Sequence, residues 1–307
     1  MPCKICKIKP VIKIPNSPRI VCKKCFLEYF EKKVRRTIRV HKLIAKKDII
    51  AIGLSGGKDS LTCLDILSRV VHDRKRLIAI TIDEGIKGYR NKTLKDAKKF
   101  CKENSINLKI FSYKKEFNYT LDEIIKILKV NPCMVCGVFR RYLLNKKSRE
   151  LGADILATGH NLDDECQSIM MNQFKGNLGL SAKLGPKTGI IAHKKFIGRI
   201  KPLYFMTEKE VRAYAFLKNF EVNFTECPNS KNTFRSYVYD ILNLLEDRNP
   251  GTKHSILQSF LEILPLLKER YKDREIKTCK QCSEPSAKEI CRACEFVNLI
   301  KLSRTSP

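Results

Sequence analysis

The sequence predicts an α/β protein in which a parallel sheet carries helices on both faces and a small cysteine-rich knot closes each end of the chain. Three observations predict it. Short apolar runs alternate with helical stretches through the middle of the chain, as in parallel sheets buried on both faces. The first of these runs ends in a Gly-rich turn that opens a helix. Eight of the 14 cysteines stand in C-x-x-C pairs close to the termini. Composition narrows the class further. With 43% of its 307 residues hydrophobic, the chain can build a core and is not disordered. No apolar run approaches the roughly 18–20 residues of a spanning helix, so no membrane association is expected. Cys3 lies too near the start for an export signal to precede it, which argues against a secreted disulfide scaffold and for a cytoplasmic protein. Lys and Arg number 61 against 32 Asp and Glu, a formal net charge of +29. A polyanionic partner explains such an excess better than chance, nucleic acid before an anionic membrane surface.

The elements follow in order. Residues 1–27 read as the first knot, with Cys3/Cys6 and Cys22/Cys25 separated by a span that contains Pro10, Pro15 and Pro18. Residues 28–46 read as a basic linker helix: Phe30, Val34, Ile38 and Leu43 recur at helical spacing, and the other face carries Lys32, Lys33, Arg35, Arg36 and Arg39. Residues 47–270 read as the sheet domain with a helical C-terminal part. Strands are expected at 49–54, 77–82, 107–112 and 154–158, with helices at 60–72, 91–104, 119–129 and 138–151 between them. Helices at 163–174, 207–218, 232–247 and 253–268 follow, interrupted at 175–202 by a loop-rich stretch with five glycines and seven bases. No acid occurs between Glu165 and Glu208. Residues 271–307 read as the second knot and a tail, around Cys279/Cys282 and Cys291/Cys294.

Ligands of an open parallel sheet bind outside the carboxyl ends of its strands. The Gly-rich turn, Asp83 and His160 all fall on that edge. The turn, Ser55-Gly56-Gly57-Lys58-Asp59-Ser60 after Leu54, offers glycines for close approach, helix N–H groups for phosphate, two hydroxyls and a cation. It is not a Walker loop, because Asp59 stands where that loop needs a hydroxyl residue. Thr158-Gly159-His160-Asn161-Leu162-Asp163-Asp164 sets paired carboxylates beside it. They suit Mg2+ shared with a nucleotide, and one of them also suits a helix N-cap. Cys3, Cys6, Cys22 and Cys25 have the spacing of a four-thiolate structural zinc site, as do Cys279, Cys282, Cys291 and Cys294. Iron–sulfur occupancy competes with that reading. Cys133 and Cys136, in Pro132-Cys133-Met134-Val135-Cys136-Gly137, have no second pair nearby. A thioredoxin-like redox pair is disfavoured because the motif follows a helix rather than opening one. With the lone Cys227, the pair makes three thiolates, enough for an iron–sulfur cluster with one iron left open. Cys63, Cys101 and Cys166 read as small hydrophobes in helices.

The string S-G-G-K-D-S after a buried strand resembles the pyrophosphate-binding loop of the PP-loop (N-type) ATP pyrophosphatases, which implies a Rossmann-like sheet. P-C-x-x-C-G-x-x-R-R, T-G-H-N-x-D-D-E, a late Cys before Pro and the two terminal zinc fingers extend the resemblance over nearly the whole chain. It is similar to the TtuA/NcsA-type tRNA 2-thiouridine synthases. The resemblance implies ATP, Mg2+, two Zn2+ and a [4Fe-4S] cluster held by Cys133, Cys136 and Cys227, with Arg140 assisting. It lays ATP on Leu54–Ser60, with Ile82, Asp83, Gly159, His160, Asp163 and Asp164 lining the site and Lys58, Asp59 and Asp163 serving the chemistry. The implied reaction adenylates O2 of a tRNA uridine, at position 34 or 54, and replaces that oxygen with sulfur. The sulfur comes from a ubiquitin-like thiocarboxylated carrier protein or free sulfide, and passes either through the cluster or through a persulfide on Cys136 or Cys227. A homodimer is implied as well. Two other readings compete: a cluster-free PP-loop ligase acting on tRNA, and a non-enzymatic zinc-ribbon nucleic-acid binder that leaves the S-G-G-K-D-S loop unexplained.

Overall fold

A computed structural model describes residues 2–190, 194–222, 227–230, 233–273 and 276–305. Residues 191–193 of the basic stretch and residue 232, where a helix was expected to begin, lie outside the described residues. A ribbon of β1 (Ile12–Lys13) and β2 (Ile20–Val21) carries the first knot and runs into α1 (Lys23–Val40). The sheet domain continues as β3 (Ile50–Gly53), α2 (Lys58–Val70), β4 (Leu77–Asp83), α3 (Arg90–Glu103) and β5 (Asn107–Ser112). Then come α4 (Tyr113–Phe117), α5 (Leu121–Leu128), α6 (Pro132–Glu150), β6 (Ile155–Thr158) and α7 (Leu162–Phe174). Next are α8 (Leu178–Ser181), β7 (Lys187–Thr188), β8 (Gly198–Ile200), α9 (Glu208–Leu217), α10 (Phe234–Arg248) and α11 (Thr252–Arg270). The second knot is built on β9 (Lys277–Thr278), β10 (Pro285–Ser286) and α12 (Arg292–Thr305).

The six-stranded sheet has the order β5-β4-β3-β6-β8-β7, parallel from β5 to β8 with β7 antiparallel at the edge. The chain therefore winds one way from β3 and the other way through β6. The crevice between the ends of β3 and β6 is the topological switch point where such sheets bind ligands. Alternation along the strands divides the core. Ile50, Ile52, Ile155, Ala157 and Ile200 join the buried side chains of α1, α2 and α9 on one face. Ala51, Ile80 and Leu156 join those of α5 and α6 and Phe296 of α12 on the other. A third cluster knits α7, α10 and α11 together. No helix among the described residues is long and apolar enough to cross a membrane.

Two expectations are corrected. The stretch 175–202 is not simply a loop, because α8, β7 and β8 lie in it. Strands of two and three residues are too short for alternation to appear in the sequence, and the pairing of β8 with β6, on which β7 follows, is a long-range contact. The Cys133/Cys136 pair does not precede its helix but opens it: the Asn131 side chain accepts from the Met134 N–H at 3.2 Å, and Pro132 takes the first helical position. Pro at that position with Asn before it is a start signal. The helix expected at 138–151 therefore starts earlier, and Gly137 lies inside it.

Each terminal knot gathers its four sulfurs to within 4.8 Å of one another. Cys6 and Cys22 stand 3.4 Å apart, and Cys282 and Cys291 3.7 Å. Tetrahedral zinc with bonds of about 2.3 Å asks for sulfurs about 3.8 Å apart, so both sets fit. The knots are tied to the domain. Asn16 donates to Glu246 at 2.8 Å, Glu284 ion-pairs with Arg149 of α6, and Phe296 stacks edge-on with Phe139. Metal analysis of the purified protein should therefore return two zinc ions per chain outside any iron centre. Cys291→Ser should lose one of them and lower the melting temperature, because Phe296 and Ile300 lose the frame that seats them in the core.

Candidate active site at the carboxyl edge of the sheet

The turn after β3 is shaped by what it touches. Leu54 is buried and its N–H donates to the Ile80 carbonyl at 2.8 Å, so its side chain serves the core and only its backbone faces the edge. Gly56 has φ +87°, and a Cβ there would fall 2.0 Å from the Thr93 carbonyl oxygen. Only glycine fits. Ser55 and Ser60 hydroxyls lie 3.1 Å apart, and the Ser55 hydroxyl also accepts from the Gly57 N–H at 3.3 Å. The loop is thus pinned by its own side chains, and the first turn of α2 points at the crevice with the positive end of a 13-residue helix. Across the crevice, a Cβ on Gly159 would lie 2.7 Å from the Asp59 carbonyl, so the end of β6 presses directly on the start of α2.

The carboxylates divide their work. Asp163 is 6% exposed, forms an ion pair with Lys253 and accepts from the Glu208 N–H at 2.7 Å. That engages both of its oxygens away from the loop. Asp164 closes a capping box with Asn161, and Asn161 also donates to Asp59 at 3.0 Å. Enclosure pushes both Asp59 and Asp164 above the ordinary carboxyl range, and the Asp164 charge adds to the rise at Asp59 while Lys58 opposes it. Lys58 bridges Asp59 at 3.0 Å and Glu208 at 3.1 Å. A divalent cation sharing Asp59 and Asp164 with a nucleotide would relieve that crowding. Asp83 accepts from the Gly85 N–H at 2.9 Å, while the Ile82 side chain is buried in the core.

Cys133 and Cys136 lie at the other end of the crevice, with the segment that begins at Cys227 packed against them. Cys133 lies in the first turn of α6 and Cys136 just beyond it. The Cys133 thiol donates to the Asn229 carbonyl at 3.1 Å, which seats the segment beginning at Cys227 against the pair. Enclosure pushes the Cys133 and Cys227 thiols up, neighbouring thiolates add to it, and Arg140 opposes. Among the described residues, only the terminal knots draw their sulfurs within 4.8 Å; this trio stands wider.

An ion chain with a buried centre joins the two ends. Arg140 donates to Cys136 Sγ at 2.9 Å and lies 3.3 Å from Glu84; Glu84 pairs with Arg90 at 2.9 Å; Arg90 donates to the Ser55 carbonyl at 2.6 Å. Glu84 and Arg90 are 6% and 3% exposed. Sequence reasoning missed both. Glu84 was within reach, since it follows Asp83 at the end of a strand; Arg90 carries no sequence signal. Glu208, the counter-ion of Lys58, was also missed.

His160 stands at the centre of the crevice. Its Nδ1 lies 2.9 Å from the Thr158 hydroxyl. Enclosure, and then the charges of Lys201, Arg235, Arg140 and Arg199, hold it down to about 3, although its ring remains open to the crevice. The ring is therefore neutral at physiological pH and serves as a hydrogen-bonding group rather than a cation. In the unfolded chain it takes a proton near 6.5, and in the folded chain only near 3. The stability it contributes is full above pH 6.5 and is lost as pH falls toward 3. Denaturant unfolding of His160→Asn across that window should show a shallower loss than the wild type, and superimposable curves would refute the assignment.

Comparison with known proteins agrees with this geometry. A PP-loop domain family model matches residues 27–242. The tRNA-5-methyluridine(54) 2-sulfurtransferase of Pyrococcus horikoshii is 38% identical, covering 98% of this chain and 95% of its own. The tRNA 2-thiolation protein NcsA of Haloferax volcanii is 36% identical over 98% of this chain and 99% of its own. Among solved structures, the U34-tRNA thiolase NcsA from Methanococcus maripaludis with its [4Fe-4S] cluster superposes with a TM-score of 0.83 at 38% identity, covering 97% of this chain and 96% of that one. With the nucleotide loop, the cysteine trio and both terminal knots present along this length, the chain belongs to the PP-loop family and, within it, to the TtuA/NcsA-type tRNA 2-thiouridine synthases.

Proposed function

We propose that the protein is an ATP-dependent tRNA-uridine 2-sulfurtransferase. The observation that carries this reading is the chain Cys136–Arg140–Glu84–Arg90–Ser55, which ties a cysteine centre to a phosphate-binding loop within one crevice. In the first step the uridine O2 attacks the α-phosphate of ATP and pyrophosphate leaves. The loop Ser55–Ser60 and the start of α2 receive the phosphates, Lys58 offsets the charge of the leaving group, and Asp59 with Asp164 holds Mg2+. Asp163, engaged with Lys253, orients this set rather than meeting the metal. In the second step sulfur displaces AMP at C2, and the uridine oxygen departs in the AMP. A [4Fe-4S] cluster on Cys133, Cys136 and Cys227 would supply an iron with an open coordination position for the sulfur. Arg140 keeps a positive charge against Cys136 throughout. The terminal knots hold zinc, and the sulfur donor is a thiocarboxylated carrier protein or sulfide. The same resemblance supports a homodimer acting in the cytoplasm, with residues 47–270 as the catalytic unit. Relatives named for position 34 and for position 54 match equally well, so the target uridine is read from product analysis.

The test is anaerobic reconstitution followed by incubation with tRNA, ATP and sulfide, with nucleosides read by mass spectrometry and AMP by chromatography. Wild type should form 2-thiouridine and AMP together. Cys136→Ser should lose the iron absorbance and the thiolated product, and Asp59→Asn should cut AMP formation by about 100-fold. Full activity without iron would overturn the cluster assignment, and AMP release independent of tRNA would overturn the substrate.

The tRNA must also be gripped away from the crevice. On α1, Phe26, Phe30, Val34 and Ile38 are buried while Arg35, Arg36 and Arg39 are exposed. Residues 1–50 carry 15 bases against three acids. Replacing the three arginines by Gln should weaken tRNA binding and lower the slope of log affinity against log salt by about two to three contacts, with ATP affinity unchanged.

A further inference from the structure

Of the cations that surround His160, three are already engaged. Arg140 holds Cys136 and Glu84; Lys201 pairs with buried Glu165 at 2.7 Å; Arg235 reaches Gln167 at 3.1 Å and Asp164 at 3.5 Å. Arg199 has no carboxylate partner among the described residues, and neither has Arg141. The two are neighbours in space. Asn145 of α6 accepts from the Ile197 N–H at 3.0 Å, and Arg149, one turn further on, donates to the Lys195 carbonyl at 2.9 Å. The helix and β8 therefore run antiparallel in register. One turn back from Asn145 is Arg141, about 6 Å away. Two residues on from Ile197 is Arg199, about 6.6 Å away in the same direction. Arg199 is the register partner of Leu156, whose face of the sheet packs on α6. Gly137 completes the arrangement. A Cβ there would lie 3.0 Å from Arg141 Nη1, so the guanidinium folds back over a bare stretch of helix beside the cysteine pair.

We propose that Arg141 and Arg199, with Gly137 as the seat, form a phosphodiester subsite that grips the RNA backbone beside the extruded target nucleotide. The inference rests on the thiolation reading for the identity of the RNA. Burial and then the Arg141 charge hold Arg199 down to about 10, so the pair repel each other in the free protein and an anion between them removes that cost. Two planar forks suit the non-bridging oxygens of a phosphate. The phosphates of ATP are claimed by the loop after β3, whereas this pair lies across the switch point on the β8 side. A phosphodiester fits better than a protein chain end because Arg199 belongs to residues 166–207, which carry seven bases and no acid. A charged stripe of that kind suits a strand of phosphates, not one terminal carboxylate.

The test uses the full-length reconstituted protein and an unmodified tRNA transcript, with affinity measured by anisotropy from low to high KCl. Arg199→Gln and Arg141→Gln should each weaken binding about 10-fold and lower the salt slope by about one contact. Arg199→Lys should keep the slope, and ATP affinity without RNA should match wild type in every variant, which also reports correct folding. Unchanged tRNA affinity and slope in both Gln variants overturns the subsite. Unchanged tRNA binding with sulfur transfer lost only from a carrier protein, and not from sulfide, overturns it in favour of an anionic protein tail. A wild type that binds tRNA in this way yet never forms 2-thiouridine refutes the proposed function while leaving the subsite standing.

Discussion

The buried pairing of Glu84 with Arg90 is the interaction on which the crevice depends. Arg90 leaves the start of α3, reaches back under the loop after β3 and donates to the Ser55 carbonyl; Glu84 leaves the end of β4 and meets Arg140 on α6. The Glu84 carbonyl also accepts from the Leu121 N–H at 2.8 Å and so anchors α5. Removing one partner would leave the other charge buried and uncompensated, which is far costlier than losing a surface pair. Two sites with unrelated chemistry are thereby held in fixed relation. Any shift of the nucleotide loop is felt at Cys136 through three side chains, Arg90, Glu84 and Arg140.

The positive charge of the chain is distributed by function. On α1 it lies on the exposed face of an amphipathic helix, where bases outnumber the two acids Glu28 and Glu31 and Arg35, Arg36 and Arg39 are open to solvent. Inside the crevice it is balanced group by group, with Lys58 against Asp59 and Glu208, Lys201 against Glu165 and Lys253 against Asp163. The exceptions are Arg141 and Arg199, and an unbalanced pair in an otherwise balanced site points to a ligand that supplies the missing charge. Enclosure first, and then the same field, keep His160 neutral.

Thiols are divided on the same principle. Each terminal knot crowds four sulfurs around the space of one ion, while Cys133 of the mid-chain pair donates to the Asn229 carbonyl. Cys63, Cys101 and Cys166 are buried in α2, α3 and α7, where burial pushes their thiols up and keeps them inert.

Much of this was legible in the sequence, because it rests on local rules. Apolar runs of four to seven residues marked β3, β4 and β6. Glycines at 56 and 159 marked the close approaches, and C-x-x-C spacing marked both knots. What stayed hidden depends on contacts between distant residues. The short strand β8 pairs on the edge that β6 offers, and β7 in turn pairs on β8. The sequence could not say which of two adjacent aspartates faces the loop, because Asp163 is turned away by Lys253, 90 residues on. Nor could it bring Arg141 beside Arg199, since nothing in either segment encodes the register of α6 on β8. Residue type and spacing determined the chemistry this chain can do; packing of the sheet's two faces decided which of those residues meet, because a side chain's partner is fixed by tertiary distance rather than by position in the chain.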